Sequence, residues 1–217
     1  MSKSLALSLG GLGAGAAGVG GLLTFKPWET QETFATKYKH ALLDTSKDSD
    51  SWNNKYTALK QATPKHPKLL KAVSESKKSP SPNDAEAKKL MREGCKAIYE
   101  SPHEKSEYLN DFKKYCSKTN QEASTNTTWN TDNVTTSGSG TNKWDTSLTS
   151  LKSHNFSQKG NLVEALVKLK EDIKEKSTFE QTHRERLKNW CDKVKTETFM
   201  GSDSLEFKNQ DLYCKGS

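Results

Sequence analysis

The sequence predicts an all-α protein: an N-terminal apolar helix followed by two tandem small helical-bundle repeats joined by a Ser/Thr/Asn-rich linker. Three observations predict it. Apolar residues in the body recur at helical spacing, as Trp52, Tyr56 and Leu59 do at i, i+4 and i+7. Helix-capping sequences stand before several of these runs. A pattern of Trp, Leu and Cys positions in the first half returns 92 to 98 residues later in the second.

Composition limits what such a chain can be. The 217 residues carry 34 Lys plus Arg against 27 Asp plus Glu, a formal net charge of +7, and only 31% are hydrophobic. Mean hydropathy is −0.91. Ordinary globular domains are about 45–50% apolar by a count that includes Gly, so the core must be thin, which argues against a large multilayer enzyme fold. Thirteen of the apolar residues lie in the first 25 positions, which leaves the body poorer still.

Residues 4–25, SLALSLGGLGAGAAGVGGLLTF, are uncharged and follow Lys3. At about 1.5 Å per residue they can cross a hydrocarbon core about 30 Å thick, although seven glycines weaken the helix. Three readings compete. A signal anchor keeps the stretch as a transmembrane helix; a signal peptide is cut at Ala14-Gly15-Ala16; a Gly/Ala leader does neither. Lys3 ahead of the stretch and Glu29 and Glu32 behind it favour the C-terminal body outside.

Along the body, residues 26–49 form a membrane-proximal helical segment and residues 50–118 the first repeat. Trp52, Tyr56 and Leu59 open it, and Leu69, Leu70 and Val73 follow Pro64. Ser81-Pro82-Asn83-Asp84 and Ser101-Pro102-His103-Glu104 each place a capping Ser, a Pro at the first helical position and an acid at the third, so a helix is expected from each. The first turns Leu90, Cys95 and Ile98 inward, the second Tyr108, Phe112, Tyr115 and Cys116. Residues 119–142 are rich in Ser, Thr, Asn and Gly, with Trp129 and Val134 as the only large or branched apolar side chains, a composition read as a flexible linker. Its Asn126 and Asn133 sequons, like Asn155 beyond, matter only in a host that glycosylates secreted chains.

Residues 143–217 repeat the pattern. Trp144, Leu148 and Leu151-Lys152 reproduce Trp52, Tyr56 and Leu59-Lys60. Leu162, Val163, Ala165 and Leu166 match Leu69, Leu70, Ala72 and Val73; residues 187–194 stand where 90–97 stand; Tyr213-Cys214 matches Tyr115-Cys116. A helix capped by Ser177 and Glu180 is expected to run through Val194, with His183 on its apolar face. The unit is about 70 residues long.

The repeat pairs Cys95 with Cys116 and Cys191 with Cys214 out of the three pairings that four cysteines allow. In an exported chain these are disulfides that staple small modules; in a cytosolic one they are reduced core thiols. Neither spacing suits zinc, and no His pair accompanies them. His40, His66, His103, His154 and His183 are scattered, and no phosphate loop or catalytic motif is present, so no catalytic, cofactor or metal residue is expected. Lysines are interleaved with acids, as in residues 168–176, which reads as solvated helix faces and argues against nucleic acid as the partner.

The start LALSLGGLGAGAAGVGGLL, the Trp-x3-Tyr-x2-Leu-Lys helix, the Leu-x4-Cys helix and the closing Tyr-Cys resemble the large paralogous sets of uncharacterised surface-type proteins of haemotropic mycoplasmas. The resemblance implies a single-pass protein held in the cell membrane through residues 4–25, with the bulk of the chain extracellular and a part in antigenic diversity or in contact with a host surface protein or glycan. It carries over no functional residue. The alternative from another class is a secreted or peripheral basic protein that binds nucleic acid or another polyanion through its Lys excess.

Overall fold

A computed structural model describes residues 31–45, 47–125, 128–135 and 142–216. The apolar stretch 4–25, with its three readings, lies outside them. Among the described residues the regular elements are all helical, and extended pairing is confined to four isolated β-bridges. The described part of the chain is all-α, as its apolar spacing predicts.

The first half begins with α1, Phe34–Lys37, a single turn capped by Thr33, whose side chain accepts the Thr36 N–H. α2, Ser49–Lys60, buries Trp52, Lys55, Tyr56 and Leu59 along one stripe. α3, Pro67–Ser76, starts on a proline at a position where a missing N–H costs nothing. α4, Asp84–Glu100, is capped by Asn83 and buries Ala87, Leu90, Met91, Gly94, Cys95 and Ile98, an i, i+3, i+4, i+7, i+8, i+11 series. α5, Leu109–Asp111, runs directly into a π-helical turn, Phe112–Cys116. These elements close around one core in which Phe34, Leu59, Leu69, Met91, Ile98 and Phe112 are no more than 1% exposed. Full burial of each such side chain contributes about 1.5–3 kcal/mol.

The second half opens with α6, Asn120–Ala123, held by a capping box between Thr119 and Glu122. α7, Lys143–Lys152, buries Trp144, Ser147, Leu148 and Leu151. A single turn, α8, Phe156–Lys159, ends at Gly160, whose φ of 77° suits glycine. α9, Glu164–Ile173, α10, Gln181–Thr196, and α11, Leu205–Tyr213, then build a second core around Trp144, Leu151, Leu166, Leu169, Leu187 and Tyr213.

The structure corrects five sequence expectations. No helix starts at Ser101-Pro102: Pro102 bridges Thr33, and the Ser101 O and His103 N–H are bonded to Phe34 and Glu32, so this backbone is already committed and the helix waits until Leu109. The helix expected from Ser81 begins at Asp84, because Asn83 supplies the capping oxygen. The helix expected from Ser177 begins at Gln181: Glu180 caps it, accepting the His183 N–H, while His183 Nδ1 accepts the Glu180 N–H. The segment 26–49, read as membrane-proximal and helical, is at its described residues part of the first core, with Phe34 and Ala41 at 0% exposed. The segment 119–142, read as a flexible linker, is packed at its described residues: Asn120, Ser124, Asn130 and Asn142 are buried, and Trp129 and Val134 lie against the second core. Composition misleads there because the polar side chains bond backbone, as Asn142 does in capping α7.

Candidate functional site

Both expected cysteine pairs are disulfides. Cα atoms stand 5.2 Å apart in Cys95–Cys116 and 5.4 Å apart in Cys191–Cys214, within the usual bridging range. Each ties the long helix of its half, α4 or α10, to the last helical turn, and no sulfur atom is left as a thiol. All four residues are at most 2% exposed, so they staple the fold and offer no nucleophile.

The five histidines remain apart, each within its own packing. His66 lies edge-on to Tyr108 and donates its backbone N–H to Asp111 Oδ2, which also takes the Lys65 N–H; burial pushes its ring below the usual histidine range. His154 is nested between the Gly160 carbonyl and the Tyr213 hydroxyl. Since the carbonyl can only accept, Nε2 carries the proton and Nδ1 receives the hydroxyl's, a tautomer assigned from the network. Burial pushes the Tyr213 hydroxyl up to about 12. His103 pairs with Glu32 at 2.8 Å, and His40 packs against Phe199 and Gly201. Among the described residues no group of His, Cys, Asp and Glu could hold a metal ion. Tyr56 donates to Asp84 at 2.6 Å, which lowers the carboxyl and ties α2 to the start of α4.

The concave surface lies elsewhere. A groove of about 470 Å³ runs between α2, the π-helical turn and the start of α6, lined by Lys55, Asn110, Lys113, Lys114, Thr119 and Thr196. Beyond Lys113 it continues into a second concavity of about 310 Å³ beside Tyr38, Glu197 and Met200. Its walls come from both halves, which meet where Phe199 packs on the first core with its ring 6.3 Å from that of His40; within the second half Asn120 N–H donates to Glu197 O and Phe199 N–H to Lys118 O, each 2.9 Å. Asn120 Nδ2 also reaches Val194 O at 2.9 Å. The Lys55 ammonium, its side chain 10% exposed, pairs with Glu122 at 3.0 Å, and Glu122 also takes the Thr119 N–H and hydroxyl.

A separate apolar cleft of about 330 Å³ opens between α9 and α10 over Leu166, Leu169 and Trp190, with Arg186 and Asn189 at its rim. Between α3 and α4 the contact is close instead, because Gly94 has no side chain and a Cβ there would stand 2.9 Å from Leu69 Cδ2. Neither the groove nor the cleft was foreseen from sequence. Lys55 and Lys113 lie 58 positions apart, and no spacing rule brings them together.

No family model, no curated protein and no solved structure matches this chain. Among the described residues no helix is long and apolar enough to cross a membrane.

Proposed function

We propose that this is a membrane-anchored, surface-exposed protein that works by contact and not by catalysis, and that its body is a tandem duplication of one disulfide-stapled helical module. The duplication is carried by a single observation: a set of contacts made twice, in the same order along the chain. Phe34 N–H donates to Ser101 O, and Asn120 N–H to Glu197 O. His103 N–H donates to Glu32 O, and Phe199 N–H to Lys118 O. Lys118 N–H donates to Ala41 O, and Gly216 N–H to Thr128 O. The bridges Thr33–Pro102 and Leu42–Ser117 have partners in Thr119–Thr198 and Trp129–Lys215.

Side chains repeat the correspondence. Trp52 Nε1 donates to Asp44 O, and Trp144 Nε1 to Asp132 O. Asp111 accepts the His66 N–H ahead of α3, and Asn209 accepts the Val163 N–H ahead of α9. On this pairing α1 answers to α6, and the copies begin near Glu32 and Lys118, so each is longer than the 70 residues read from sequence. The Ser/Thr/Asn-rich segment is then the opening of the second copy. Leu69 answers to Leu166 and not to Leu162.

Display outside the cell is supported by the uncharged residues 4–25 behind Lys3 and by the two disulfides, since such bonds persist in oxidising compartments. The resemblance to the paralogous surface-type proteins of haemotropic mycoplasmas points to host-cell contact or antigenic diversity. Protease shaving of intact source cells tests the location. Peptides from beyond Lys26 should be lost from the cells while residues 4–25 stay in the membrane; a body protected until lysis overturns the reading.

A further inference from the structure

We infer that the groove between the two copies binds an acidic glycan, one carrying sulfate or carboxylate groups, with Lys113 and Lys114 as its anion-binding residues. The inference rests on the reading of the chain as a surface contact protein and gives that contact a place and a chemistry.

The charge balance of the groove points to an anion. Lys55 is neutralised by Glu122, and in the adjoining concavity Glu197 is paired with Lys193 at 3.6 Å. Lys113 and Lys114 are exposed, and among the described residues neither forms an ion pair. Two adjacent ammoniums therefore face a concavity whose acids are already occupied. Both belong to the π-helical turn Phe112–Cys116, a rare geometry that recurs at functional sites.

Comparison of the copies argues that these lysines are not demanded by the module. Under the pairing set by Trp52 with Trp144 and Tyr115 with Tyr213, the residues answering to Lys55, Lys113 and Lys114 are Ser147, Asp211 and Leu212. The second copy folds its corresponding turn, α11, with a carboxylate and an apolar residue in their places. The cations belong only to the copy whose closing turn lines the groove, since Asp211 and Leu212 are not part of its lining.

The rest of the lining favours sugar over nucleic acid. Asn110 offers an amide, and the Thr119 and Thr196 hydroxyls, whose protons go to Glu122 and to Lys193 O, offer acceptor lone pairs to a polyhydroxylated ligand; a groove of about 470 Å³ falls within the 300–1,000 Å³ typical of ligand sites. Within the groove itself Tyr115 is the aromatic residue, and at 8% exposed it leaves little ring surface on which a base could stack.

The test measures binding of the oxidised full chain to a heparin oligosaccharide, to its desulfated form and to a single-stranded oligonucleotide. The variant Lys113→Asp with Lys114→Leu installs the second copy's residues; Lys113→Gln with Lys114→Gln is the milder form should the first misfold. Lys71→Asp with Lys174→Leu makes the same charge change at exposed positions on α3 and just after α9. We expect heparin binding that desulfation abolishes, a Kd raised about tenfold or more by either groove variant, and little change in the control. No heparin binding, equal loss in groove and control variants, or an oligonucleotide bound more tightly through the same lysines would each overturn the inference. Protease shaving fails independently: a protected body removes the surface reading and leaves the groove's affinity as measured.

Discussion

Each disulfide should stabilise its half of the chain by about 3 kcal/mol, and by nearly the same amount in both. The bridges close loops whose ends are 21 and 23 residues apart, and the loop-entropy relation gives about 3.3 kcal/mol for the first and 3.4 for the second. Cys95→Ala with Cys116→Ala frees the π-helical turn, where the Cys116 carbonyl accepts the Tyr99 hydroxyl at 2.5 Å. Cys191→Ala with Cys214→Ala frees the end of α11, whose following residues pair with residues 128–130. Urea unfolding of the two double variants beside the oxidised parent reads both losses directly. Under about 1 kcal/mol for either pair would refute the stapling argument. A large disparity between them would mean that native contacts of the freed segment, and not loop closure, set the stability.

Three further outcomes follow from individual side chains. Gly94→Ala should destabilise the chain by about 1–3 kcal/mol, since its Cβ meets Leu69 at 2.9 Å and Lys68 Cβ at 3.3 Å; Trp190→Ala, at the answering position beside an open cleft, should cost less than a fully buried Trp would, and thermal melts compare the two. Asp111→Asn should be tolerated within about 1 kcal/mol, because that site needs only an acceptor, whereas Asn209→Asp should cost about 1–3 kcal/mol: Asn209 is 0% exposed and its Nδ2 donates to Asn161 O at 3.0 Å; equal losses in denaturant would contradict the assignment. His66 is held neutral by burial, faced by Asp111, which opposes the shift, and by Lys68, which adds to it. The unfolded chain takes up a proton there first, so this stability is present above pH ~6.5 and is lost as pH falls below it, by at most about 1.4 kcal/mol per pH unit. The Tm difference between parent and His66→Gln should therefore change below that pH, and a constant difference would count against it.

Helical periodicity was legible where burial is one-sided and long. The stripes of α2, α4, α7 and α10 lie where Trp52, Cys95, Trp144 and Cys191 put them, and both disulfides follow from the recurrence. Helix starts were less legible, because a Ser-Pro pair caps a helix or makes an extended turn with equal local ease. At Ser101-Pro102 the deciding partner, Thr33, is 69 positions away. The opening of the second half was hidden by its composition: Thr119, Asn130 and Asn142 look like linker residues, yet a capping box, a bond to Cys214 O and a helix cap use them. The groove was illegible for a related reason, since Lys113 and Lys114 resemble every other lysine in a mixed-charge run until the fold sets Lys55 and Thr196 beside them.

Non-reducing peptide mapping of the protein taken from its source cells, with thiols blocked at lysis, tests the central claim of an exported, twice-stapled body most directly. Peptides linked through Cys95–Cys116 and Cys191–Cys214, with no blocked thiol, are expected. Four blocked cysteines in the native protein would contradict it, because the chain would then reside where thiols stay reduced.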